Sequence, residues 1–339
     1  MLPAMPLIFT LILFAIGVFL LVKGADWLVD GASALAKRLR VSDLAVGLTV
    51  VAFGTSTPEL IVNIVASARG NADIAIGNIV GSNIANILLI LGITAIIAPV
   101  AVQRSTTLKE IPFSLLAGIV LFILANDAMI DGYQLSELGR GDGLIFISLF
   151  LIFLYYTFGI RRTEHEEENE STKTVMSLWQ ATAFVVFGLV ALVIGGHFCV
   201  ESAQDIALAF GVSEALIGLT IVAVGTSLPE FMTSLVAAMK NKPDIAVGNI
   251  VGSNIFNIFW ILGVSALIKP LPFRPELNID LLMVVFASVL LFFIVHNGKL
   301  HRRLFLWWKQ ERDYMIRKWE GGVLLACYIA YIAVIAWRG

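Results

Sequence analysis

Two hexapeptides, GTSTPE at Gly54–Glu59 and GTSLPE at Gly225–Glu230, set two hydroxyls, a proline and a glutamate inside apolar sequence. Pro58 has no backbone N–H, and its ring clashes with the carbonyl four residues back, that of Gly54. A helix is therefore expected to kink or open around Ala52–Thr55. Pro229 does the same to Gly225. Where water is excluded, freed carbonyl oxygens must find a partner, and a cation is a suitable one. Thr55, Glu59 and Asn63 follow at i, i+4 and i+8 and share one helix face. Thr226, Glu230 and Ser234 share the corresponding face in the second copy.

A second motif, GNIVGSNIxN, lies downstream of each hexapeptide. Asn78, Ser82 and Asn86 form one stripe spaced by four; Asn249, Ser253 and Asn257 repeat it. Gly77 with Gly81, and Gly248 with Gly252, make small-residue grooves that admit a neighbouring helix. Taken singly, these asparagines also fit plain interhelical packing. The carboxylates in the companion helix shift the reading towards cation binding. Two facing carboxylates cannot both ionise cheaply; they must be protonated or share cations. All the available ligands are hard oxygens, and neither motif holds Cys or His to favour zinc or copper. Six to eight flexible oxygens suit Ca2+, and one Ca2+ neutralises two carboxylates. The same cage takes Na+ or H+ instead, and such competition is what an antiporter needs.

The elements that carry these motifs are membrane helices. The chain has 339 residues, 58% of them hydrophobic and only 14% charged, with mean hydropathy +0.90. Soluble domains carry about 25% charged residues. A soluble globular protein, a disordered chain and a disulfide-stapled domain are thus excluded. Net charge is −2, so nothing global points to nucleic acid. Cys199 and Cys327 make no disulfide framework, and His165, His197, His296 and His301 have no metal-ligand spacing. The apolar blocks predict ten spans: 6–34, 43–68, 73–98, 107–126, 143–160, 177–204, 214–239, 243–268, 278–296 and 319–337. The first block lacks a basic n-region and reads as a retained helix. With the N-terminus outside, inward connections hold 17 of the 23 Lys and Arg residues, which supports ten spans with both termini outside.

Residues 49–95 and 220–266 align without a gap at a constant offset of 171, with 27 of 47 positions identical. Gly17 with Gly188, Gly24 with Gly195, and Pro99 with Pro270 extend the offset. The chain therefore divides into a first five-helix repeat (1–160), a linker (161–176) and a second repeat (177–339). Five spans per half force opposite membrane orientations, so the repeats are inverted, as in many secondary transporters. The expected fold is an all-α polytopic membrane protein with broken helices in spans 2, 3, 7 and 8. The matched Gly, Asn, Ser, Thr, Pro and Glu are costly in hydrocarbon and point to a cavity or partner.

Three further features surround this frame. The acidic run Glu164–Glu170 reads as a solvated cytoplasmic linker, with a cation-sensing loop as the sharper alternative. Lys299–Lys318 is basic and aromatic, as in a segment anchored at an anionic lipid surface. Spans one and six carry Lys23, Asp26, Asp30, His197, Glu201 and Asp205. Mutual pairing near the aqueous helix ends is the main expectation for these, with a metal or proton relay as the other reading.

The two motifs resemble the α-repeats of the calcium/cation antiporter superfamily, and GTSxPE with GNIVGSNIxN resembles its compact prokaryotic sodium/calcium exchangers. The resemblance implies exchange of Na+ for Ca2+ by alternating access, with spans one and six as a sliding bundle. It implies a cation site at Ala52, Thr55, Ser56, Glu59, Ser82 and Asn86 in the first half. In the second half it implies Ala223, Thr226, Ser227, Glu230, Ser253 and Asn257. The alanines enter through their backbone carbonyls. Several relatives have Asp where Asn257 stands, and potassium-dependent ones rely on an acid there, so Asn257 argues against K+ co-transport. The expected function is Ca2+ extrusion driven by the Na+ gradient, through a cell (inner) membrane protein that works as a monomer. It has no catalytic residues and no cofactor; its partners are Ca2+, Na+ or H+, and lipid. A Ca2+/H+ antiporter is the alternative within the class. A cation channel fits less well, because paired carboxylates bind too tightly for rapid leak.

Overall fold

A computed structural model describes residues 7–130, 132, 134–158, 176–210, 225–304 and 314–338. Ala223, the acidic run 164–170 and residues 305–313 of the basic segment lie outside the described residues, as does the first half of expected span seven. Among the described residues, eight helices are long and apolar enough to cross a membrane, or nine if a bent pair counts as one span. In chain order they are α1 (Leu7–Leu39), the bent pair α2 (Asp43–Thr55) and α3 (Thr57–Arg69), α4 (Ala72–Ile97), α5 (Arg104–Leu124), α6 (Arg140–Phe158) and α7 (Leu178–Ala209). The shorter α8 (Leu228–Met239) precedes α9 (Pro243–Ile268), α10 (Asn278–Leu304) and α11 (Lys318–Arg338). Leu7, Ile8, Phe19, Leu151, Phe187 and Ile329 are among the many large apolar side chains facing outward, as lipid contact requires.

α1 and α7 are 33 and 32 residues long, roughly 50 Å at 1.5 Å per residue. That exceeds a hydrocarbon core of about 30 Å, so the pair must tilt or protrude. The two helices run antiparallel along a glycine seam. A Cβ on Gly24 would meet the Gly188 carbonyl oxygen and the Leu192 nitrogen at 2.9 Å, and one on Gly195 the Gly17 carbonyl oxygen at 2.8 Å. Glycine is required there because one backbone lies directly on the other.

The prolines act as expected, one residue further along. Ala52–Thr55 stay helical, and the chain bends by 49° at Ser56, between α2 and α3. Ser56 (φ −81°, ψ 9°) then leads into α3 with Pro58 in its first turn, where a missing N–H costs nothing. Ser227 (φ −88°, ψ 9°) and Pro229 open α8 in the same way. The expectation of breaks in spans 3 and 8 is corrected. α4 and α9 are continuous 26-residue helices, with no proline beyond the first position of α9 to interrupt them. Each instead widens into a π-helical segment, Ala85–Ile90 and Phe256–Leu262, the kind of local expansion often found at functional sites.

α4 and α9 cross at the centre. α9 packs tightly on α2: a Cβ on Gly252 would lie 2.7 Å from the Leu48 carbonyl oxygen, and one on Gly248 3.1 Å from Gly47. Among the described residues nothing lies within 4 Å of a Cβ on Gly77 or Gly81, and the segment related by the offset to Gly47–Ala52 is outside those residues. Two small ribbons qualify the all-α expectation. β1 (Val100–Ala101) pairs with β4 (Met315–Ile316), and β2 (Ser136–Leu138) with β3 (Leu271–Phe273), both antiparallel. Each joins the loop after the third span of one half to the entrance of the last span of the other. Gln103 Nε2 reaches Asp244 at 2.7 Å, and its counterpart Arg274 pairs with Asp73 at 3.0 Å. Two buried acids, Glu110 in the second turn of α5 and Asp280 in the first turn of α10, accept from tyrosines: Tyr156 to Glu110 at 3.0 Å, Tyr331 to Asp280 at 2.9 Å.

Candidate cation-binding site

The bends at Ser56 and Ser227 bring the two hexapeptides face to face. Glu59 and Glu230 start the first turns of α3 and α8 and are 0% and 1% exposed. The serines exchange partners across the centre. Ser56 Oγ donates to Glu230 Oε1 at 2.9 Å, and Ser227 Oγ to Glu59 Oε1 at 3.2 Å. Ser82 on α4 also donates to Glu59 Oε1, at 3.4 Å. Each carboxylate thus has one oxygen held by a serine hydroxyl of the opposite half, and Glu59 also by Ser82 of its own half, which fixes its orientation.

The second oxygens are the informative ones. Glu59 Oε2 and Glu230 Oε2 are buried with no hydrogen-bond partner among the described residues. So are Asn86 Oδ1, Asn257 Oδ1, Thr226 Oγ1 and Ser253 Oγ. Buried polar atoms almost always have a partner, and an orphan calls for an explanation. Other described side chains, Thr94, Glu110 and Ser265 among them, also hold such atoms; the six named here are distinguished by belonging to the two motifs, with the Thr226 and Ser253 hydroxyls facing Glu59 and Glu230. Two carboxylate, two amide and two hydroxyl oxygens are hard donors, the type of which Ca2+ takes six to eight. Among the described residues, no group of three or more His, Cys, Asp or Glu side chains offers an alternative metal centre.

Thr55 Oγ1 is otherwise engaged, donating to Asn249 Oδ1 at 2.9 Å and lying 3.3 Å from the Ala52 carbonyl oxygen. The outer members of each stripe serve the frame. Asn78 Nδ2 donates to Asn63 Oδ1 at 2.7 Å, and Asn63 Nδ2 to the Ala75 carbonyl at 2.9 Å. Their counterparts repeat the pattern: Asn249 Nδ2 donates to Ser234 Oγ at 2.9 Å, and Ser234 Oγ to the Ala246 carbonyl at 3.3 Å. Asn249 Nδ2 also reaches the Glu230 carbonyl at 3.1 Å. Asn63, Asn78, Asn249 and Ser234 therefore lock α3 to α4 and α8 to α9. Of the twelve expected site residues, Ser56, Glu59, Ser82, Ser227 and Glu230 are joined by direct hydrogen bonds, and Thr226 and Ser253 face the glutamates. Thr55 bonds the Ala52 carbonyl, Asn86 and Asn257 bond Asn254 and Asn83, and Ala223 lies outside the described residues.

Asn83 and Asn254 escaped the sequence reading. They lie one residue past the serine of each stripe, about 100° round the helix. Their identity in both copies at the offset was the available signal. The ionisable residues of spans one and six stand apart from the site. His197 Nε2 pairs with Glu201 at 3.3 Å, and both are exposed. Lys240, just past α8, grips Asp26 and Asp30 of α1, the latter at 2.7 Å. Mutual pairing therefore holds for Lys23 with Asp26 (3.8 Å) and for His197 with Glu201, whereas Asp30 is paired by Lys240 from outside the two spans.

The sodium/calcium exchanger protein family matches residues 9–159 and 180–337. The sodium/calcium exchanger MaX1 of Methanosarcina acetivorans is 33% identical over 365 aligned positions, covering 96% of this chain and 97% of the relative. The inner membrane protein YrbG of Escherichia coli K12 is 35% identical over 291 positions, 82% of this chain and 87% of the relative. The solved structure of the sodium-calcium exchanger NCX_Mj, soaked with zero Na+ and Ca2+, superposes with a TM-score of 0.78 at 34% identity. That superposition covers 97% of this chain and 100% of the other. Taken with the paired carboxylates and their hydroxyl partners, these matches make this multi-pass membrane protein a member of the sodium/calcium exchanger family.

Proposed function

We propose that this protein is a secondary active antiporter that exchanges Na+ for Ca2+ by alternating access, extruding Ca2+ with the Na+ gradient. Its ten spans form two inverted repeats, with both termini outside and the 161–176 linker in the cytoplasm. The observation that carries the reading is the set of six buried, unpartnered oxygens shared between the repeats. Two ionised glutamates balance one Ca2+, and the same oxygens, taken in smaller groups, suit monovalent Na+. Glu59, Glu230, Asn86, Asn257, Thr226 and Ser253 are assigned as side-chain ligands. Ser56, Ser227 and Ser82 orient the carboxylates. Ala52, Thr55 and Ala223 complete the site through backbone or hydroxyl oxygens.

Alternating access requires a moving part. The α1–α7 pair is the candidate, because it is long, joined by a bare backbone seam and lipid-exposed along much of its length. The test is 45Ca2+ uptake by proteoliposomes under imposed gradients. Uptake that follows an outward Na+ gradient and does not require K+ is expected. Uptake driven by a pH gradient without Na+ would assign Ca2+/H+ exchange instead. Ca2+ flux independent of any counter-ion gradient would sink the antiporter reading.

A further inference from the structure

Asn83, Asn86, Asn254 and Asn257 close a buried ring where α4 crosses α9. Asn83 Nδ2 donates to the backbone carbonyl of Asn254 at 3.2 Å, and Asn254 Nδ2 to that of Asn83 at 3.4 Å. A carbonyl oxygen only accepts. Each of these amides must therefore turn its nitrogen to the opposite backbone and its Oδ1 away from it. Those two oxygens then accept from the outer members of the ring. Asn257 Nδ2 donates to Asn83 Oδ1 at 3.0 Å, and Asn86 Nδ2 to Asn254 Oδ1 at 3.0 Å. The polarity of all four amides follows from two backbone carbonyls, so no arbitrary choice between amide nitrogen and oxygen remains. The consequence falls on the site. With their nitrogens held, Asn86 and Asn257 have only Oδ1 left to present, and those atoms are two of the six orphans.

We infer that Asn83 and Asn254 are positioning residues that fix the carbonyl oxygens of Asn257 and Asn86, respectively, towards the transported cation. The inference rests on the proposed cation site. An amide's two ends are nearly isosteric, and a half-turn of the side chain exchanges an oxygen that attracts a cation for an NH2 that repels it. The ring removes that freedom. It does so crosswise, since the amide in each repeat copy is oriented by the other copy. A change in one copy therefore reaches the ligand supplied by its partner.

A mutant cycle reads this directly. Equilibrium 45Ca2+ binding is measured on the purified full chain for Asn83→Ala, Asn257→Ala and Asn86→Ala, and for the doubles N83A/N257A and N83A/N86A. Asn83→Ala is expected to weaken binding about 2- to 10-fold, the scale of one hydrogen bond. The loss should vanish in the Asn257→Ala background, where the oriented oxygen is already gone, and persist in the Asn86→Ala background. Asn254→Ala should show the mirror pattern, silent only beside Asn86→Ala. A purely structural role predicts equal losses in both backgrounds, and that result overturns the proposal. Thermal melting of each variant controls for folding, and Asn→Ser replaces Asn→Ala where alanine gives no monodisperse protein. Failure of both substitutions at both positions would make the ring a folding element and also overturn the proposal. Wild-type protein that binds no 45Ca2+ would defeat the cation site itself, an outcome distinct from any pattern within the cycle.

Discussion

The centre of the molecule and its long helix pair treat the same sequence repeat differently. At the centre, the crossed serine–glutamate and amide–amide contacts come in matched pairs, although Ser82 and Thr55 are hydrogen-bonded where Ser253 and Thr226 are not. Ser56 reaches Glu230 as Ser227 reaches Glu59; Asn257 reaches Asn83 as Asn86 reaches Asn254. At α1 and α7 the match fails. Lys240 holds Asp26 and Asp30, and α1 packs along α8. Under the offset, Lys240 corresponds to Arg69, and Asp26 and Asp30 to His197 and Glu201. Yet His197 and Glu201 pair with each other, Arg69 makes no ion pair among the described residues, and α7 has no comparable packing along α3. The lesson is a division of labour. A two-fold frame holds the motif oxygens, and a helix pair carrying the same symmetry in sequence makes an ion-paired contact with α8 that has no counterpart with α3 among the described residues.

The largest expected effect tests the symmetry of the centre. Glu59→Gln and Glu230→Gln each keep the shape and remove half the charge that balances Ca2+. Breaking a buried charge pair costs about 3–5 kcal/mol, a hundredfold or more in binding. Both variants should abolish 45Ca2+ exchange while still folding. A tenfold difference between them in equilibrium binding would break the two-fold description, and wild-type exchange in either would make that carboxylate structural.

Acid should act on the centre and spare the clamp. Protons and Ca2+ compete for the same carboxylate oxygens, so apparent Ca2+ affinity is expected to fall as pH drops, by up to about tenfold per unit for each proton displaced. The pair titrates as a unit. Partial burial works against the Lys240 ammonium, but the hydrogen bonds and charges of Asp26 and Asp30 outweigh it and lift the group above the usual lysine value. The lysine therefore stays charged across the assay range. Ca2+ affinity that is constant from pH 5 to 8 would argue that the glutamates are not exchangeable with protons.

The glycine groove of α9 tests the frame around the centre. Gly252→Ala places a Cβ 2.7 Å from the Leu48 carbonyl oxygen, an overpacking of about 1–3 kcal/mol. The apparent melting temperature of the variant should fall. An unchanged melting temperature would show that α9 and α2 do not meet backbone to backbone at this position.

The smallest effect concerns the clamp. Lys240→Met removes partly exposed ion pairs, contributing about 1 kcal/mol or less. Hydrogen exchange of backbone amides over Lys23–Ala34 should speed up by a few-fold, while Arg69→Met leaves the matching segment of α7 unchanged. Equal responses would mean that both ends of the bundle are held alike.

Much of the fold was legible in the sequence because hydrocarbon imposes few solutions. Long apolar runs must be helices. A proline four residues after a glycine must disturb the helix, and the structure moves that bend by one residue, to Ser56. Spans 3 and 8 misled because their polar residues suggested broken backbone. Interhelical amide bonds and π turns satisfy those residues without any break. Asn83 and Asn254 were missed because a stripe spaced by four selects one face, and they stand on the next.

By itself the sequence determined the chemistry of this protein: the proline-bent hexapeptides, two buried glutamates, and a donor set of hard oxygens repeated at an offset of 171. Those follow from local rules, the helical period and the cost of polar groups in lipid. Only the tertiary structure decided which oxygens are engaged and which are left without a hydrogen-bond partner among the described residues. It alone showed that the outer amides of each copy are hydrogen-bonded by amides of the other, and that the long helix pair departs from the symmetry of its sequence. These depend on contacts between residues about 170 positions apart, where packing geometry selects one hydrogen-bond partner among several that the sequence permits equally.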